Sequence, residues 1–106
     1  MAERPVPLMN TKRAEAIVRA LALEPSRVAV TLHAEERMLE RGFSNTDLFK
    51  VLTAGSVFAQ PSLTEKGEWK CKVICRLRGN RDAGAVTVIA KNDQLIVLTM
   101  EWEDVR

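Results

Sequence analysis

HAEERMLERGFS, residues 33–44, decides how this chain folds, because it packs a helix, a stop and the start of a second helix into twelve residues. The helix begins near His33 and ends at Gly42, a residue suited to the left-handed turn past a helix end. Ser44 then opens the next helix, with Ser44 and Asp47 in a capping-box spacing and Leu48, Val51 and Leu52 as its apolar stripe before Gly55 stops it. Phe43, just before the cap, is placed to pack against Leu48. From Ser56 onward the helical spacing gives way to alternation and β-branched runs, which predict strands at about 56–60, 68–78, 85–91 and 94–102. Asn92-Asp93 fits a hairpin turn between the last two.

Upstream, Asn10 or Thr11 caps a helix through KRAEAIVRALAL, where Ala14, Ile17, Val18 and Leu21 recur at helical spacing and Pro25 ends the run. The first residues, with Pro5 and Pro7, read as a loose arm. VAVTL, residues 28–32, reads as an extended segment or edge strand. The expected fold is α+β, with N-terminal helices packed on one face of an antiparallel sheet of about four strands. All 106 residues fit one domain, 1–25 being the arm and first helix and 30–102 the α+β core.

Apolar residues make up 46% and charged residues 28%, a globular balance that excludes a disordered chain. No apolar run approaches the roughly 20 residues needed to cross a bilayer, and MAERPVPLMN lacks a secretory apolar core, so a cytoplasmic address with no membrane partner is expected. Cys71 and Cys75, four apart on a strand, lie roughly 13 Å from each other, so both are expected to be free thiols. The net charge of +2 is unevenly spread. Lys70, Lys72, Arg76, Arg78 and Arg81 follow one another with no acid between Trp69 and Arg81, a local footprint for a polyanion.

Strand alternation puts Trp69, Cys71, Val73, Cys75 and Leu77 on a core face and Lys70, Lys72, Ile74, Arg76 and Arg78 on the other. Four cations around one isoleucine suit a phosphate backbone laid across an open sheet; a solvated face kept basic to discourage edge pairing is the alternative. On the second helix, His33, Arg37 and Arg41 fall within roughly 80° of one another, along the margin of the apolar face formed by Ala34 and Met38. A neutral imidazole at that helix start can take a proton from a hydroxyl. Equally, His33 can be an ordinary helix-start residue, with Arg37 and Arg41 tied to Glu36, Glu40 or a carboxylate elsewhere. The single histidine and two core-facing cysteines offer neither a zinc motif nor an activated thiolate, and no glycine-rich phosphate loop is present, so no metal or cofactor is expected. Glu101, Glu103 and Asp104 read as a solvated tail after the last strand.

Residues His33-Ala34, Arg37-Met38, Glu40-Arg41-Gly42-Phe43-Ser44 and Leu52 with Gly55 resemble the opening of the domain of unknown function 4258 family, and IVLTMEW resembles its close. The resemblance spans roughly residues 30–102. That domain is similar in layout to RelE, BrnT and MqsR-like ribonucleases of bacterial toxin–antitoxin systems, with two helices before an antiparallel, RelE/barnase-like sheet. The resemblance implies a metal-independent endoribonuclease neutralised by a cognate antitoxin protein. His33, Arg37 and Arg41 come from its motif, whereas Lys70, Lys72, Arg76 and Arg78 come from the strand faces. Several RelE-like toxins use a tyrosine in the site, and this chain has none.

The expected reaction is attack of the RNA 2′-hydroxyl on the adjacent phosphate, with His33 as base or acid and Arg37 and Arg76 stabilising the phosphorane-like charge. Arg41, Lys70, Lys72 and Arg78 would bind the RNA backbone. This composite site requires the helix and the basic strand to meet in one concavity. A non-catalytic RNA-binding or protein-interaction module of the same fold is the alternative. The N-terminal helix, outside the resemblance, is the expected surface for a partner or for a homodimer.

Overall fold

A computed structural model describes residues 9–104, so the arm expected around Pro5 and Pro7 lies outside the described residues. Three helices form where the caps place them. Asn10 accepts the Arg13 amide and opens α1, Thr11–Ala22. A 3-10 turn at Pro25–Arg27 leads into β1, Val28–Val30. Thr31 accepts the Ala34 amide and opens α2, Leu32–Arg41, which ends on Gly42 at φ 75°. Ser44 and Asp47 exchange both bonds of a capping box at the start of α3, Asn45–Ala54. Phe43 is buried between the two helices, where it stacks on Trp102 at a centroid distance of 4.4 Å.

The strands are β2 (Ser56–Val57), β3 (Ser62–Leu63), β4 (Trp69–Arg76), β5 (Asp82–Ile89) and β6 (Leu95–Trp102). They form one six-stranded sheet in the order β1-β6-β5-β4-β2, with β3 also paired to β4. The α+β class is as expected, but the sheet is larger than four strands and mixed, because β1 runs parallel to β6. A three-residue strand ahead of a helix gives little sequence signal, and its direction follows from where α2 carries the chain next. The expected strand at 56–60 shrinks to two residues.

All three helices cover one face of the sheet. α2 lies over β6, α3 over β4 and β5, and α1 packs on α3 and β2. Ala14, Val18, Leu48, Val51, Leu52, Val73, Val97 and Met100 are almost wholly buried in the single core between the layers. The apolar stripe of α1 is therefore covered within the chain, and only the polar outer face of that helix is open to a partner. Arg19 fixes the helix further by donating to the Gly55 carbonyl at 2.9 Å. Cys71 and Cys75 are both free, and burial pushes the Cys71 thiol up.

The register divides the sheet residues between its two faces. Cys71, Val73, Ala83, Ala85, Thr87, Leu95, Val97, Met100 and Trp102 face the helices. Lys70, Lys72, Ile74, Arg76, Gly84, Val86, Val88, Ile96 and Glu101 occupy the helix-free face. In β6 the alternation skips one residue. Val86 pairs Thr99 and Thr87 pairs Val97, leaving Leu98 as a bulge that keeps both halves of the strand facing the core.

Candidate functional site

The expected composite site does not assemble. His33 is an exposed residue in the first turn of α2, on the helix side of the sheet. Arg37 one turn on is tied to Glu40, with Nη1 at 2.9 and 2.8 Å from the two carboxylate oxygens. Arg41 turns inward and donates to the Met100 carbonyl at 2.7 Å. Lys70, Lys72 and Arg76 lie on the opposite face, with the sheet between them and His33. Helical spacing placed the α2 residues and strand alternation placed those of β4 through Arg76, but neither carries information about which side of a sheet a helix covers.

Arg78 also departs from its expected face. The chain leaves β4 after Arg76 and turns through Arg78–Asn80, with Gly79 at φ 68°, so alternation no longer holds. The Arg78 guanidinium reaches the α2–α3 corner, where Nη1 sits 2.7 Å from both Asp47 oxygens and Nη2 donates to the Gly42 carbonyl. Burial alone would raise the Asp47 carboxyl, but the Ser44 amide and the Arg78 guanidinium together hold it below its usual range. Trp102 completes the corner, its indole donating to the Arg41 carbonyl at 3.0 Å while Arg81 lies 4.2 Å above its ring. These contacts fix backbone at a helix end, so the corner is an architectural joint.

The helix-free face carries the other cluster. Lys72 projects over β5 and meets two carboxylates, Glu103 at 2.7 Å and Glu101 at 3.4 Å. The passage exists because residue 84 is glycine: a Cβ there would stand 2.7 Å from Lys72 Cε and 2.7 Å from Glu103 Oε2. Burial works to lower the Lys72 ammonium, but the hydrogen bond it donates to Glu103 and the charges of both glutamates outweigh it and raise the group above the usual lysine value. Lys72 is thus a fixed cation rather than a proton acceptor. The two carboxylates differ: Glu103 is the closer and its side chain is 22% exposed, whereas Glu101 is held more loosely and is 41% exposed.

Arg76 continues the face, bonded to Asp82 at 3.1 Å and Asn80 at 3.3 Å through Nε and Nη1, with a side chain 61% exposed. Lys70 is exposed at the other end and makes no ion pair among the described residues. Lys70, Lys72 and Arg76 therefore mark out a line of about 20 Å along β4. Glu101 and Glu103 correct the reading of a solvated tail. Their alternation with buried Met100 and Trp102 was the available signal, since it places both carboxylates on the face that Lys72 shares.

The family model for a domain of unknown function, DUF4258, matches residues 30–101. That match covers more than half of the chain, and the chain belongs to the family. No curated protein and no solved structure matches it.

Proposed function

Starting from membership of the DUF4258 family, we propose that this chain is a toxin-type, metal-independent endoribonuclease whose site is the helix-free face of the sheet. The observation that carries the reading is Lys72 held between Glu101 and Glu103 over Gly84, on a strand lined with further cations. Strand cleavage through the 2′-hydroxyl needs a proton acceptor and fixed positive charge beside the phosphate. Glu101, the looser and more exposed carboxylate, takes the 2′-hydroxyl proton. The 2′-oxygen then attacks phosphorus, the bond to the 5′-oxygen breaks, and that oxygen takes a proton from water. The products are a 2′,3′-cyclic phosphate and a free 5′-hydroxyl.

Lys72 and Arg76 neutralise the charge that builds on the non-bridging oxygens, while Lys70 binds the adjoining backbone. Glu103, the shorter contact, holds Lys72 in place. Neutralisation by a cognate antitoxin protein belongs to the same reading.

A second reading, a non-catalytic RNA-binding or interaction module, is favoured by the ion pairing of Lys72, Arg76, Arg78 and Arg81 with carboxylates from neighbouring strands and turns and from the start of α3. One assay separates the two. RNA is incubated with the protein in EDTA, and the products are analysed for 2′,3′-cyclic phosphate ends. Glu101→Gln and Lys72→Met are each expected to slow cleavage by roughly 100-fold, the usual cost of losing a positioned base or charge stabiliser. His33→Ala is expected to retain cleavage. Intact RNA with the wild type would establish the non-catalytic reading, and loss in His33→Ala with retention in Glu101→Gln would move the site to the helix layer.

A further inference from the structure

The outer face of α2 carries two of the exposed large apolar side chains on one helix stripe. Leu32 and Leu39 are 71% and 83% exposed and stand seven residues apart, two turns along one stripe of the helix. That stripe points roughly 130° away from buried Ala34 and Met38, and none of the described residues covers it. Toward the end of α2 it runs into a cavity of about 320 Å³ lined by Glu35, Met38, Leu39, Phe43 and Asn45. The cavity is positioned to take an apolar side chain arriving along the leucine stripe. Glu35 and Glu36 are exposed between the two leucines, and neither makes an ion pair among the described residues.

We propose that this face docks a helix of a partner protein that presents apolar side chains at helical spacing flanked by lysine or arginine. Charge decides among the occupants. A second copy docking α2 against α2 would set Glu35 and Glu36 against their own counterparts, which repel. A nucleic acid would meet the same carboxylates with its phosphates. A basic amphipathic helix places cations on both glutamates and an apolar anchor in the cavity. The surface lies on the helix side of the sheet, so it stands independently of the reading of the Lys72 face.

The test uses two synthetic helical peptides with identical leucine spacing, one flanked by lysines and one by glutamates, titrated into isotopically labelled full-length protein. The lysine peptide is expected to bind about 10-fold more tightly than the glutamate peptide, with amide shifts centred on residues 32–45. Leu39→Ser and Leu32→Ser are each expected to weaken it about 10-fold, and both alter exposed positions that folding does not require. A Glu35→Lys, Glu36→Lys double variant is expected to invert the peptide preference. Equal binding of both peptides, shifts centred elsewhere, or no binding at about 1 mM would overturn the proposal. A wild-type dimer that Leu39→Ser dissociates would also overturn it, by assigning the face to a second copy.

Discussion

The α2–α3 corner and the helix-free face of the sheet are built from the same kinds of residue and are put to different uses. At the corner and elsewhere in the helix layer, arginines reach backbone carbonyls: Arg78 to Gly42 at the corner, Arg19 to Gly55 at the far end of α3 and Arg41 to Met100 in β6. On the open face, Lys72 meets only side-chain carboxylates, across a glycine, at the solvent boundary. A cation that satisfies a carbonyl at the end of a helix cannot leave without stranding that carbonyl. A cation shared between two surface carboxylates can exchange one of them for a phosphate at little cost. What distinguishes structural charge from available charge here is the partner atom rather than the residue type.

Substitutions that strike the helix layer and the open face unequally test that contrast. The largest effect is expected from Gly55→Ala, because its Cβ would overlap the Val51 carbonyl oxygen and lie 2.7 Å from Val73 Cγ1 and 2.9 Å from the Ile74 carbonyl. Two of the three are backbone atoms that cannot step aside, so a loss of about 3 kcal/mol or more, a fall of at least roughly 10 °C in Tm, is expected by calorimetry. Unchanged stability would show that the α3–β2 junction is looser than its contacts require.

Asp47→Asn is expected to cost about 1–2 kcal/mol at pH 7, through the weakened cap and the lost Arg78 pair. The pH dependence has a definite sign. Because the folded carboxyl titrates below its ordinary value of 3.8, its contribution is fully present above that value and disappears as pH falls through the lower one. The stability curves of wild type and variant should therefore converge in strong acid, and curves that stay parallel down to pH 2 would remove Asp47 from the joint. The smallest effect belongs to Lys72→Met, which is expected to change stability by less than about 1 kcal/mol while abolishing most cleavage. A large loss of stability there would make the open-face cluster structural and erase the distinction between the two regions.

The elements themselves were legible in the sequence because each carries its own punctuation. Asn10, Ser44 with Asp47, Gly42 and Gly55 mark helix boundaries within a residue of where they fall. Alternation likewise sorted β4 into its two faces. What stayed hidden depends on contacts distant in sequence. The parallel pairing of β1 with β6 joins residues more than sixty apart, and no local pattern fixes it. The same limit applies to the site: Lys70, Lys72 and Arg76 were found from their strand, but the carboxylates that complete the cluster come from β6 and the turn after it. His33 was singled out by helical geometry, which is silent about the far side of a sheet. Trp102, read only as part of a terminal strand, closes the helix corner through an indole bond to Arg41.

The bulge at Leu98 acts as a phase control for the end of the chain. Drawing Leu98 into a regular ladder, so that it rather than Thr99 paired Val86, would exchange odd for even from position 99 onward. Met100 and Trp102 would be turned out to water and Glu101 and Glu103 turned in beneath the helices. The separation between an interior and a charged exterior along this strand therefore rests on a single supernumerary residue, whose carbonyl and that of Val97 both accept from the Thr31 hydroxyl at the start of α2. Strand phase and helix origin are set at one point, so a length change in either would be felt in both.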